Sequence, residues 1–148
     1  GRIEDAELEK GEATAIEFDK IISAKMDKKK KEKDEEKKRQ DQIEKLGMFL
    51  QVLEIDENDQ VANFGLGSIY FDQGQHEKAL PHFQILVKYF PDYSVAYKML
   101  GKTLEQLSRN DEALEIYKKG IATASKKGDL MPLKEMQSRQ YQILHSES

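Results

Sequence analysis

The chain has 148 residues, of which 38% are hydrophobic and 35% are charged, and its formal net charge is −4. No apolar run is long enough to cross a bilayer, and the absence of cysteine excludes disulfides and thiolate-ligated metal. This net charge gives no general attraction to nucleic acid. We expect a cytoplasmic location, although a chain that opens on Gly1 could have lost an upstream signal or anchor.

Residues 1–42 are predicted to form a helical, highly charged extension. Residues 1–13 are compatible with a short helix or a disordered lead, and Thr14 to Glu17 match a capping box, which predicts a helix start. Four apolar residues then recur at helical spacing and predict one apolar stripe: Phe18, Ile21, Ile22 and Met26. A stripe this small cannot form a core by itself, so we expect it to dock on another surface.

The segment from Asp27 to Gln42 contains no apolar residue, with eight basic and six acidic side chains. Acidic residues precede basic ones by four positions, an order that supports an isolated helix. The segment is predicted to be a solvated spacer or a partly frayed linker. One alternative is self-association of the N-terminal helix between copies of the chain. A further alternative, nucleic-acid binding through Lys25–Lys33, is disfavoured by the interleaved carboxylates and the lack of aromatic residues.

An apolar helical pattern resumes at residue 43 and predicts an N-terminal capping helix over residues 43–56. Phe49 stands 34 residues before Phe83, which indicates the second helix of a repeat whose first helix has lost its pattern. The acidic stretch from Asp56 to Asp59 is predicted to end this helix and to cap the next one.

The same pattern then occurs twice at a spacing of 34 residues, over residues 60–91 and 94–125. A leucine–glycine pair, a small residue and aromatic residues recur in register, as in a helix-pair repeat. The first copy supplies Leu66, Gly67, Tyr70, Ala79, Phe83 and Pro91; the second supplies Tyr97, Leu100, Gly101, Ala113 and Tyr117. Glycine inside a helix costs about 1 kcal/mol relative to alanine. We therefore expect Gly67 and Gly101 to lie where the second helix of each pair crosses the first.

A last helix is predicted over residues 129–145, after a stop signal at Gly128. Asp129 is expected to cap this helix, and Pro132 is tolerated in its first turn. Its apolar side is predicted to contain Leu133, Met136, Tyr141 and Leu144. The whole of residues 43–145 is thus predicted to be an all-α stack of two helix pairs between two capping helices.

These motifs resemble the tetratricopeptide-repeat (TPR) family, and in particular small bacterial stand-alone members with about two repeats. The resemblance covers residues 43–144. It implies a right-handed stack of antiparallel helix pairs, a role in binding peptide or protein segments, and no catalysis. Members that bind chaperone tails use a clamp of lysine, asparagine and arginine on the first helices. Here those faces carry Phe64, Gly65, Ser68 and Met99, so this clamp is absent.

In this architecture the first helix of each pair lines a concave groove, which is the predicted site for a protein or peptide partner. The side chains expected to face it are Val61, Phe64, Ser68, Phe71, Val95, Lys98, Lys102 and Glu105. Phe64 and Phe71 are two turns apart and are not needed by the repeat motif. They are predicted to anchor a ligand unless the helix over residues 43–55 covers them.

No catalytic, metal or cofactor site is predicted, and no small-molecule substrate. The three histidines, His76, His82 and His145, lack the spacing of a metal site or a triad. His82 directly precedes Phe83 and is therefore expected to face solvent.

Overall fold

The computed structural model of the chain describes residues 2–146, with side chains described from residue 14 onward, and it is all-α there. Its six helices are α1 (Arg2–Ile55), α2 (Gln60–Asp72), α3 (His76–Tyr89), α4 (Ser94–Gln106), α5 (Asn110–Lys127) and α6 (Leu130–Ser146). The predicted fold class is therefore confirmed. Within residues 2–146, no helix combines the length and the apolar composition that a membrane span requires.

Helix α1 is one continuous helix of 54 residues, where the sequence pattern predicted at least two segments. The predicted helix start at Thr14 is wrong, because the helix has already begun at Arg2. No glycine or proline occurs between residues 12 and 46, so nothing in the backbone interrupts it. Arg39 forms an ion pair with Glu36 at 2.9 Å, one turn away on the exposed surface.

The chain divides into two compact units, residues 1–43 and 44–148. In the first unit, all side chains from residue 14 to residue 41 are exposed. The second unit contains the last turns of α1 and all of α2 to α6.

The second unit is built from two antiparallel helix pairs, α2 with α3 and α4 with α5, and α6 packs on α4 and α5. Its core contains the residues shared by the two repeats together with Met136 and Ile143 of α6. Leu66, Phe83, Leu100 and Tyr117 are at most 2% exposed. The helices therefore pack through the faces that the 34-residue pattern marks.

Glycines allow the closest approaches between these helices. An added Cβ at Gly67 would stand 2.6 Å from Cε1 of Phe83, and one at Gly101 would collide with the ring of Tyr117. Two glycines outside the repeat motif have the same environment. A Cβ at Gly65 would enter the ring of Phe49 in α1, and one at Gly120 would meet Met136 of α6.

The turns follow the predicted caps in part. The side chain of Asp59 accepts a hydrogen bond of 2.8 Å from the amide of Ala62, so the predicted cap of α2 is confirmed. Gly128 ends α5 with a φ of 74°, as the stop signal predicted. Asn110 is the first residue of α5, and Arg109 occupies the cap position without a capping side-chain hydrogen bond.

Helix α6 presents a different face to the core from the one predicted. Met136 and Ile143 are buried and Leu133 is half-buried. Tyr141 and Leu144, predicted on this side, are 57% and 56% exposed. At about 100° per residue, Met136 and Ile143 point within about 20° of each other, whereas Leu144 lies about 80–100° and Tyr141 about 140–160° around the helix from them.

Candidate partner-binding groove

The first helices of the two pairs and the final helix lie side by side, with α4 between α2 and α6. The eight side chains predicted to line the groove belong to α2 and α4. We refer to the surface formed by α2, α4 and α6 as the groove.

Phe64 and Phe71 are both half-buried on α2. The ring of Phe64 lies edge-on to Phe83, with centroids 6.3 Å apart, and 5.8 Å from the ring of Tyr93. Phe71 makes an edge contact of 4.8 Å with His76. The end of α1 packs through Phe49 on Gly65, the neighbour of Phe64. Both phenylalanines thus keep part of their surface in contact with solvent.

Lys102 of α4 lies beside Phe71, with its Nζ atom 5.7 Å from the ring centroid. This distance is within the range of a cation–π contact. Among the described residues, Lys102 has no carboxylate within ion-pair distance. Val61 is 69% exposed, and Ser68 and Val95 are half-buried. The boundary between α2 and α4 therefore combines apolar surface with one unpaired cation.

Two other predicted groove charges already have partners on α6. Lys98 Nζ lies 3.4 Å from a carboxylate oxygen of Glu135. Glu105 accepts hydrogen bonds from Arg139, the shorter at 2.6 Å, and from the hydroxyl of Tyr117 at 2.5 Å. Burial is the largest cause that raises the pKa of Tyr117 far above its ordinary value, and the hydrogen bond to Glu105 is the second. These side chains hold α6 on α4.

The repeat-motif residues occupy the interior, with two exceptions. Leu66, Gly67, Ala79, Phe83, Tyr97, Leu100, Gly101, Ala113 and Tyr117 are buried. Tyr70 is half-buried and stacks on His82 at 5.8 Å. Pro91 is exposed, and its carbonyl accepts a hydrogen bond of 2.8 Å from the Tyr97 hydroxyl.

His82 does not face solvent as predicted; it is half-buried, and its Nδ1 lies 3.0 Å from Oδ1 of Asn63. The amide nitrogen of Asn63 donates to the carbonyls of Glu57 and Asp59, which leaves Oδ1 as an acceptor. His82 therefore carries a proton on Nδ1. Burial lowers the pKa of His82.

The described residues contain no group of three histidine, aspartate or glutamate side chains that could hold a metal ion. A separate cleft of about 450 Å³ opens between α3, α4 and α5. Its walls combine apolar residues with three carboxylates: Gln84, Val87, Leu100, Leu104, Ile116, Asp111, Glu112 and Glu115. This cleft is a second candidate binding surface.

The sequence did not indicate three features of the groove. Tyr93 precedes α4 and carries no repeat signature, although it contacts Phe64. Glu135 and Arg139 fall outside the apolar side predicted for the last helix, although they pair with Lys98 and Glu105. Arg139 stands 34 residues after Glu105, so extending the repeat period one helix further would have placed the two at equivalent positions.

Comparison with known proteins agrees with this architecture. The model of the tetratricopeptide repeat matches residues 59–126. TPR repeat-containing protein PA0015 of Pseudomonas aeruginosa is 40% identical over 73 residues, which are 49% of this chain and 70% of that protein. The chain belongs to the tetratricopeptide-repeat family, as its sequence motifs predicted. The fold of this family generally mediates protein–protein interaction.

Two solved structures show the same helix arrangement. Protein BPP2914 from Bordetella parapertussis superimposes with a TM-score of 0.61 at 29% identity, over 69% of this chain and 89% of that protein. A tetratricopeptide repeat domain protein from Salinibacter ruber gives a TM-score of 0.56 at 31% identity, over 59% of this chain and 97% of the other.

Proposed function

We propose that the chain is a non-enzymatic adaptor that binds a protein or peptide segment in the groove. The observation that carries this proposal is the pair of half-buried phenylalanines on α2, Phe64 and Phe71, with Lys102 beside Phe71 and without an ion-pair partner in the described part of the chain. The repeat interior is already filled by other residues, so neither phenylalanine is required by the repeat motif.

The two phenylalanines provide the apolar part of the surface. Burying a whole phenylalanine side chain is worth about 1.5–3 kcal/mol, and each ring here has only part of its surface left to bury. Aromatic residues near the centre of an interface commonly contribute most of its binding energy. We expect an apolar side chain of the ligand to lie between Phe64 and Phe71, where Tyr93 extends the aromatic surface.

Lys102 provides the polar part. Lys98 and Glu105 are neutralised by α6, so their charges are not available to a ligand without breaking an internal pair. Lys102 has no such partner among the described residues. The preferred ligand therefore carries a carboxylate close to its apolar anchor, and its affinity falls as ionic strength rises.

Absence of catalysis is part of the same proposal. Asn63 fixes one nitrogen of His82, and the ring stacks on Tyr70, so this histidine serves the packing of α2 against α3. A scaffold that positions a partner requires no reacting group.

The test begins with peptides selected from a random library on the intact chain. Their affinities are then measured for Phe71→Ala and Lys102→Glu by fluorescence anisotropy. We expect at least a tenfold loss in each variant, because about 1.4 kcal/mol corresponds to a factor of ten. The loss in Lys102→Glu should shrink at high salt.

Tyr89→Ala and Lys119→Glu are the matched controls, because both residues are exposed on second helices. Circular dichroism verifies that all four variants are folded. Folded groove variants that bind the selected peptides at full strength would place the site elsewhere, with the cleft between α3 and α5 as the first candidate.

A further inference from the structure

The apolar stripe of α1 lies in the first unit and is exposed along its whole length. Phe18, Ile21, Ile22 and Met26 are 61%, 53%, 40% and 65% exposed. At 100° per residue these four positions fall on one side of the helix. Four adjacent large apolar side chains on one exposed side indicate a surface that another molecule covers.

The sequence around this stripe is divided by charge. Residues 4–19 contain seven acidic residues and one basic residue, whereas residues 20–33 contain seven basic and two acidic ones. The change of sign falls between Asp19 and Lys20, inside the stripe. Along the helix axis, the sequence before this point is mainly acidic and the sequence after it is mainly basic, and the apolar stripe lies across the boundary.

A helix with this pattern is complementary to an inverted copy of itself. We propose that residues 14–33 of two copies pair as antiparallel helices, centred near Ile22. In this arrangement Ile22 lies opposite Ile22 of the other copy, Phe18 lies opposite Met26, and Asp19 lies opposite Lys25. A symmetric dimer buries the same surface on both subunits, as this stripe requires.

The charges select the orientation. A parallel pair would place acidic residues against acidic ones and lysines against lysines, which opposes association. The charges also disfavour an anionic membrane as the occupant, because the acidic half would be repelled from such a surface. A second copy of the chain satisfies both halves at once.

The oligomeric state of the full chain tests the proposal. Light scattering during size exclusion should give twice the monomer mass of 17.1 kDa. The double variant Phe18→Ser/Ile22→Ser should be monomeric. Ile16→Ser should remain dimeric, because Ile16 is 56% exposed on the same helix but lies about 200° around it from Phe18. A monomeric wild-type chain, or a dimer that survives the double variant, overturns the proposal.

Cross-linking tests the orientation, because the chain has no cysteine of its own. Ala15 and Lys29 both lie on the stripe side, and their midpoint is residue 22. An equal mixture of Ala15→Cys and Lys29→Cys should form mainly the mixed disulfide under mild oxidation. Two copies of position 15 would be about 21 Å apart in the antiparallel pair, given a rise of 1.5 Å per residue. Predominant 15–15 and 29–29 disulfides would instead establish a parallel pair.

Discussion

At the scale of single residues, the glycines inside helices have two opposite environments. Gly101 lies under the ring of Tyr117, whereas Gly47 is exposed in α1 and has no atom within 4 Å of an added Cβ. The same substitution, glycine to alanine, therefore tests packing at one position and helix propensity at the other.

We expect Gly101→Ala to destabilise the second unit by about 1–3 kcal/mol, because the methyl group is forced against an aromatic ring in a packed core. Gly47→Ala should stabilise it by about 0.5–1 kcal/mol, since alanine is the better helix former. Chemical denaturation of both variants measures the difference. Equal effects at the two positions would mean that the Tyr117 ring moves aside without cost.

The turn between α4 and α5 provides a second residue-scale prediction. Ser108 has a φ of 58°, and Gly74, its equivalent 34 residues earlier, has a φ of 75°. A residue with a Cβ is strained in this left-handed region by about 1–2 kcal/mol. We expect Ser108→Gly to raise the melting temperature.

Gly74→Ser is the reciprocal variant and should lower the melting temperature. Its added Cβ would have no atom within 4 Å, so any loss reports backbone strain alone. Shifts of the same sign in the two variants would contradict the assignment.

Residue-scale features were predictable where they repeat along the chain. The leucine–glycine pairs and the aromatic residues of the second helices recur at a spacing of 34 residues, so comparison of the two copies locates them. Asn63 and His82 were not predictable in this way. Asn63 is completely buried because two backbone carbonyls and a histidine 19 residues away satisfy its amide. Nothing in a linear pattern identifies those partners.

At the scale of helices, α6 completes the core of the second repeat. Met136 is fully buried and packs against Gly120. Deletion of residues 129–148 would expose this surface and remove the partners of Lys98 and Glu105. We expect the truncated chain to lose its cooperative thermal transition, as monitored by circular dichroism at 222 nm, the standard helix signal.

Deletion of residues 1–42 is the control, because the described side chains there are almost all exposed. The melting of the second unit should be retained. An unfolded N-terminal truncation would show that the stripe around Phe18 contributes to the core.

The contact between α2 and α3 should make stability depend on pH. Burial lowers the pKa of His82 in the folded chain, so the unfolded chain binds this proton more strongly. The stability contributed by the neutral ring is complete above the unfolded pKa of about 6.5 and is lost as the pH falls below it. We expect His82→Gln to lose less stability than the wild type between about pH 7.5 and about pH 5.5.

His145→Gln is the control at an exposed position. If both variants follow the wild-type pH profile, His82 is accessible to protons in the folded chain without cost.

Helix continuity was the least predictable feature at this scale. The apolar period locates α2 to α6 because each of these helices packs on a neighbour. Residues 27–42 include no apolar residue, so hydrophobic periodicity cannot predict a helix there. Their helix depends on helix propensity and on exposed ion pairs such as Arg39 with Glu36.

At the scale of the whole molecule, the family and the stack of helix pairs followed from the sequence, whereas the chemistry of the groove did not. Lys98 and Lys102 are equivalent in sequence, both being lysines on the first helix of the second repeat. Only the structure distinguishes them, because Glu135 of α6 neutralises one and Phe71 of α2 lies beside the other. Glu135 is 37 residues from Lys98 in the sequence and lies in a different helix, so no local sequence pattern predicts that the two side chains pair.

In the proposed binding mode, this difference between the two lysines confines the selectivity of the groove to a narrow region. The charges at the boundary between α4 and α6 are compensated internally, so in this binding mode that boundary would accept many different ligand side chains. In the proposed binding mode, the boundary between α2 and α4 selects an acidic ligand group next to an apolar one. Partners of this protein would then share a consensus of only two or three neighbouring residues, embedded in segments that otherwise have no common sequence.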